Sequence, residues 1–482
     1  MLWWLTFWTA LGLCVGSFLN AVIYRLPRHG SLRIPRWSAC PACRHRIAWF
    51  DNLPIVSFLL LRGRCRRCGV PIATRYMVIE AAMAIIVLVL LDAFFISDAR
   101  AGLSRSPFGL TDELTFDWPI FLAHVILFAC LLCMSAIDLE HYWVDVRFTN
   151  FAVLLGFVLH TLWTPPHSRE WIRPGDATAV VALFAVFGLA IVHIVRAYWT
   201  VHAVEATPEE PAEDPSAGEP APEAQPASRP NPFQAPSRGF AWAACLLLFG
   251  LFVGLATVAR SPNPGKPNAR GLLPVLLFFA LILRESTIAR SSDEEIVAAI
   301  EEERSSARAT ALRELALLLP AVALGVLGLA LMLRGGDVAE RMSDVLHARI
   351  PLPGLSLLRN WTPLWGLGTA AAGFVITGAV GWTVRILFTL WFGKEAFGTG
   401  DIHLMAAAGC VAGWPVAVLG FILASVLALI GWLLVLPFKR TRALPLGPWL
   451  SLSFFIVVIF YEPLVHSSLI RQMIETAQYL LT

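Results

Sequence analysis

Charge is scarce in this sequence. Only 15% of its 482 residues are Asp, Glu, Lys or Arg, against about 25% in an ordinary soluble protein. That scarcity excludes a typical soluble domain. The short alternating segments of a membrane β-barrel are also missing. Lysine is absent between Arg25 and Arg75, and Asp51 is the one acid there. There is no H-E-x-x-H, no glycine-rich nucleotide loop, and no serine or cysteine arranged with histidine as a nucleophile. Met1–Phe18 lacks a basic leading region and an A-x-A-like cleavage site, so it reads as a retained first span rather than a signal peptide. The net charge of +3 says little, and no nucleic-acid partner is expected.

What is abundant is apolar. Hydrophobic residues make up 57% of the chain, with a mean hydropathy of +0.67. They fall in long blocks, and about 20 consecutive apolar residues cross a bilayer as a helix. Up to twelve spans are expected, near 2–23, 76–96, 119–137, 148–163, 177–198, 240–259, 272–283, 315–333, 364–392, 402–414, 416–437 and 449–465. The blocks at 272–283 and 402–414 are short enough to be re-entrant or tilted. Eleven arginines between Arg25 and Arg75 place that stretch in the cytoplasm. The loop Ser97–Trp118, with four acids and two arginines, suits the outer side. The chain is therefore an all-α polytopic membrane protein. Glu205–Arg238, with nine prolines and seven acids, reads as an extended disordered linker. Arg284–Leu315 reads as a charged cytoplasmic helix between spans.

Two groups of residues carry chemistry. The first is Cys40-Pro-Ala-Cys43 and Cys65-Arg-Arg-Cys68, separated by 21 residues. Two such knuckles complete a tetrahedral thiolate shell for structural zinc. Two disulfides are the rival, but a cytoplasmic loop keeps thiols reduced. Arg44, Arg46, Arg64, Arg66 and Arg67 can offset the charge of four thiolates. Cys130 and Cys133 repeat the spacing inside an apolar span without a second pair. They read as buried small hydrophobes, as do the isolated Cys14, Cys245 and Cys410.

The second group is a pair of aspartates at span edges. Asp138 ends the third span in Ile137-Asp-Leu-Glu-His141. Asp401 lies in Gly398-Thr-Gly-Asp401, 263 residues further on. Both fall on the same expected side. Ionisable groups at this depth are costly and usually functional. Gly398 and Gly400 allow close approach to Asp401, and the start of a helix favours its carboxylate. Two carboxylates sharing one proton can activate water and protonate a peptide oxygen. Taken singly, each aspartate is better explained as a helix cap or the start of a solvated loop, and Asp145, Asp92 and Glu80 show how common acids are at span ends.

These segments resemble the type IV prepilin peptidases. Gly16-Ser-Phe-Leu-Asn20, Val22 to Pro27, the two cysteine knuckles, Ile47 to Pro54 and Ile72 to Glu80 match the family's opening region. Ile137 to Asp145, Gly398 to Asp401 and Leu446-Gly-Pro448 match its later motifs. The resemblance implies that Asp138 and Asp401 are the catalytic pair and that Cys40, Cys43, Cys65 and Cys68 hold zinc. It implies cleavage of the leader from type IV prepilins or pseudopilins, cut at the cytoplasmic face of the inner membrane. N-methylation by S-adenosylmethionine is implied by resemblance alone. Val144 replaces the family's proline and His403 its lysine. About eight spans are family-type, and about four are inserted. The expected parts are a first span at 1–24, a zinc domain at 25–75, membrane core at 76–164, an insertion at 165–363, and membrane core at 364–482. An even number of inserted spans keeps both aspartates on one side. Two other classes stay open: a noncatalytic membrane scaffold, indifferent to loss of either aspartate, and a transporter, which would carry carboxylates at span midpoints.

Overall fold

The computed structural model describes residues 2–28, 37–97, 110–141, 144–163, 175–205, 247–250, 269–287, 306–349, 361–395, 397–437 and 445–465, with 467 and 472. Among these residues the chain is helical, and the only β pairing is two isolated bridges in the cysteine segment. The helices are α1 (Leu2–Arg25), α2 (Val56–Leu60), α3 (Arg75–Leu91), α4 (Leu110–His141), α5 (Val146–Leu162), α6 (Asp176–Glu205) and α7 (Ala269–Ser286). They continue as α8 (Ala307–Leu333), α9 (Gly336–Leu346), α10 (Pro363–Phe392), α11 (Thr399–Ala412), α12 (Trp414–Val435), α13 (Gly447–Ile459) and α14 (Tyr461–Val465).

Seven of the described helices are long and apolar enough to cross a membrane. Shorter apolar helices include α5 and α13. Each expected span coincides with a described helix except that at 240–259, which lies outside the described residues apart from 247–250. The proline-rich linker, from residue 206 on, also lies outside them.

Three details differ from the expectation. The last span breaks at Phe460, where α13 gives way to the short α14. Pro463 has no N–H to offer the carbonyl of Ile459, so the helix cannot run through. The charged stretch before the eighth helix is not separate throughout: from Ala307 it is already the first turns of α8. Residues 288–305 lie outside the described set. The short helix α9 was not foreseen, because its 11 residues carry too little apolar length to register as a span.

Small residues set the packing. α3 is buried on all sides and packs on α1, where a Cβ on Gly12 would meet the Ala84 Cα at 2.7 Å. α10 and α11 touch backbone to backbone, since Gly373 leaves no room for a Cβ beside the Gly409 carbonyl. Such contacts let helices approach closely where lipid supplies no hydrophobic drive. α8 runs antiparallel to α10, with Arg308 beside Gly393 and Glu314 paired to Arg385. α7 runs antiparallel to α13, with Gly271 against Ile459 and Phe279 against Trp449.

Candidate functional site

The cysteine knuckles are two copies of one turn. Arg44 N–H donates to the Cys40 carbonyl, and Gly69 N–H to the Cys65 carbonyl. Arg44 (φ 54°) and Gly69 (φ 70°) both take the left-handed conformation that closes each turn. Ala39 bridges to Arg46, and Arg64 to Pro71. The four sulfurs lie within 4.8 Å of one another, and Cys40 Sγ is 3.8 Å from Cys68 Sγ. A disulfide needs about 2.05 Å. Tetrahedral zinc with Zn–S bonds of about 2.3 Å needs sulfurs roughly 3.8 Å apart. The donor set and spacing therefore fit zinc. Backbone N–H groups of Cys68 and Arg67 pull the Cys65 thiol down to about 7, while burial pushes the Cys40 thiol up.

The arginines around this site do more than balance charge. Arg66 forms a double hydrogen bond to Asp51, with an N–O contact of 2.6 Å, and stands 5.6 Å from the Phe50 ring. The side-chain bonds from Arg66 hold the Asp51 carboxyl below the usual range. The segment is tied to α3 by Glu80, whose Oε2 accepts the Ile55 N–H at 2.7 Å. Ile55 has φ 59°, an uncommon state for a β-branched residue. The sequence offered no signal for Glu80 beyond its place at a span end. Asp145, another acid at a span end, caps α5 through the Arg147 N–H and pairs with that guanidinium.

Asp138 stands one turn before the end of α4 and is buried. Its Oδ2 accepts the Gly447 N–H at 3.2 Å, at the first residue of α13. Ser135, one turn earlier, donates to Ser451 at 2.9 Å, which fixes the same pair of helices. Two residues after Asp138, Glu140 pairs with the buried Arg75 at 2.6 Å.

Asp401 lies in the first turn of α11, after Gly398 as the capping residue. A Cβ on Gly398 would stand 3.2 Å from Asp401 Oδ2. A Cβ on Gly400 would stand 2.6 Å from the Cβ of Val144. The chain just after Asp138 thus packs directly on the chain just before Asp401. A cavity of about 130 Å³ lies between α3, α4, α7 and α13, lined by residues including Arg75, Ser135, Leu139, Phe278, Glu285 and Phe455.

Cys130, Cys133 and Cys410 are buried free thiols, Cys14 is an exposed one, and Cys245 lies outside the described residues.

Residues 10–94 match the bacterial peptidase A24 N-terminal domain, and residues 343–433 match the type IV leader peptidase family. The chain belongs to the type IV leader peptidase family. A prepilin leader peptidase/N-methyltransferase of Myxococcus xanthus is 41% identical over 149 residues, covering 31% of this chain and 38% of that protein. A type 4 prepilin-like proteins leader peptide-processing enzyme of Escherichia coli O78:H11 is 35% identical over 203 residues, or 38% of this chain and 66% of the relative. A prepilin leader peptidase/N-methyltransferase of Dichelobacter nodosus is 31% identical over 207 residues, covering 37% and 63%. The chain thus spans between about a third and two thirds of the length of these curated relatives. No solved structure matches it. Within this leader peptidase family member, Asp401 lies in the second matched segment, while Asp138 falls between the two.

Proposed function

We propose that this chain is a membrane aspartic endopeptidase that removes the leader from type IV prepilins or pseudopilins at the cytoplasmic face of the inner membrane. Asp138 and Asp401 are its catalytic pair. The observation that carries this reading is the packing of Val144 on Gly400, which draws the segments bearing the two carboxylates to one end of the bundle. The names of the relatives give the substrate class.

In this reading one carboxylate is ionised and takes a proton from water, and the other, protonated, gives its proton towards the scissile carbonyl oxygen. The water oxygen bonds to the carbonyl carbon. The peptide C–N bond then breaks, and the new amino terminus takes a proton. The Gly447 N–H steadies Asp138, and Asp401 stands in the first turn of α11. The largely apolar cavity between α3, α4, α7 and α13, which Leu139 lines next to Asp138, offers a place for apolar side chains of the pilin helix.

Cys40, Cys43, Cys65 and Cys68 hold a structural zinc ion, which stiffens the arginine-rich segment 25–75 on the cytoplasmic side. A closed four-sulfur shell leaves zinc no open position, so it takes no part in hydrolysis. Residues 1–24, 25–75, 76–164, 165–363 and 364–482 form the first span, zinc domain, first core half, insertion and second core half. N-methylation of the new terminus from S-adenosylmethionine is supported by the relatives' names, and none of the residues above is assigned to that methyl donor.

The test is co-expression with a prepilin, comparing leader removal by the wild type, Asp138→Asn and Asp401→Asn. Processing is lost in both variants while both still reach the membrane. Processing at the wild-type level in either variant removes the proposal.

A further inference from the structure

Arg385 lies two turns before the end of α10, with its side chain buried. A buried guanidinium needs partners for its N–H groups and for its charge. Its Nε and Nη2 donate side by side to the two oxygens of Glu314, each at 2.9 Å. Its Nη1 reaches the Glu395 carboxylate and donates to the Phe397 carbonyl. Gly398, Gly400 and Asp401 follow immediately. One cation thus joins a distant helix to the short connection that leads into Asp401.

That helix is α8. Glu314 lies in the expected insertion and outside both family-matched segments, whereas Arg385, Glu395 and Phe397 lie inside the second. α8 also touches the connection at its start. Gly393 ends α10 in the left-handed conformation (φ 65°), and a Cβ there would stand 3.2 Å from Arg308 Nη2. Arg308 therefore closes over the first residue of the connection, and the Glu314–Arg385 pair holds its last part. The Phe397 ring, packed 5.6 Å from Phe421, fixes the remaining side.

We infer that Glu314 and Arg385 are positioning residues for Asp401: the inserted helix α8 braces the 393–398 connection and so sets where the Asp401 carboxylate stands. The inference rests on the reading of Asp401 as catalytic. It gives part of the insertion a task in the reaction, transmitted through a planar fork that only arginine supplies. Neither residue touches substrate. Their effect falls on kcat, because a displaced carboxylate weakens the transition state more than it weakens substrate binding.

The experiment uses the full chain in proteoliposomes and a synthetic prepilin segment spanning the leader junction. Glu314→Gln keeps the shape of the side chain and leaves Arg385 its Glu395 partner. It is expected to lower kcat at least tenfold with KM within twofold. Hydrogen exchange rises at least tenfold over 393–401 and stays unchanged along α4, with an unchanged melting temperature. Glu314→Asp restores at least half of the lost kcat. An unchanged kcat overturns the inference, as does a change confined to KM or a rise in exchange spread along α8 and α10 with a lower melting temperature. If Glu314→Gln does not reach the membrane, Arg385→Lys, which keeps the charge and loses the fork, is judged by the same criteria. A wild type that cleaves no prepilin sinks the protease reading. The brace is then decided by exchange alone: a local rise over 393–401 sustains it and no rise overturns it.

Discussion

The Gly447 N–H donates to the Asp138 carboxylate across 309 residues of chain. The contact leaves no slack, since a Cβ at position 447 would stand 2.6 Å from Asp138 Oδ2. Gly447→Ala is therefore expected to push the carboxylate aside without unfolding α13, whose Ser451 still meets Ser135. A displacement of that size costs roughly 100-fold in rate. Initial rates of leader removal measure it. A Gly447→Ala enzyme working at the wild-type rate would show that this bond does not orient Asp138.

The approach of Val144 to Gly400 gives a second prediction with an internal control. Gly400→Ala places a methyl group where the Val144 side chain already stands. Cleavage should fall at least tenfold. Val144→Gly removes the Cβ that the new methyl group meets first, so the double variant should recover most of the loss. Additive losses in this double-mutant cycle would mean that the two segments do not press on each other at the site.

The parts of this molecule written in local patterns were legible from the sequence. Blocks of apolar residues announce helices, and the two cysteine knuckles announce their own geometry, because spacing within four residues fixes a turn. What stayed hidden was non-local. Nothing near Glu80 says that it receives the Ile55 N–H, and nothing near Glu314 says that it faces Arg385 71 residues away. Arg66, counted as one charge among several, turned out to be committed to Asp51. The break at Phe460 was visible in principle through Pro463 but was masked by the apolar block around it. Side-chain pairing across helices depends on which faces meet, and composition does not carry that information.

Removal of zinc should act on structure first. The purified wild type is expected to carry about one zinc per chain, and Cys40→Ser or Cys65→Ser to carry under a tenth of that, by elemental analysis. The four sulfurs come from two separate turns that a metal ion would join, so metal binding and folding of this segment are coupled. A strong chelator should make residues 37–75 sensitive to protease while the membrane helices stay intact. Full zinc content in both serine variants would refute the four-sulfur site.

Acid should separate the Asp51–Arg66 pair from the thiolates that surround it. Arg66 holds the Asp51 carboxyl below its usual range, so the pair stabilises the fold above the unfolded carboxyl pKa of about 3.9. That contribution is lost as the pH falls through the lower folded value. Arg66 stands between the second pair of cysteines, so freeing it should loosen their knuckle. Zinc should leave Asp51→Asn roughly two- to fivefold faster than it leaves the wild type between pH 5 and 7. The ratio of the two release rates, taken at each pH, cancels the protonation of the thiolates common to both. It should fall to one below the carboxylate range. A ratio of one throughout, followed by the transfer of zinc to a coloured chelator, would mean that the Asp51 bond does not support the metal site.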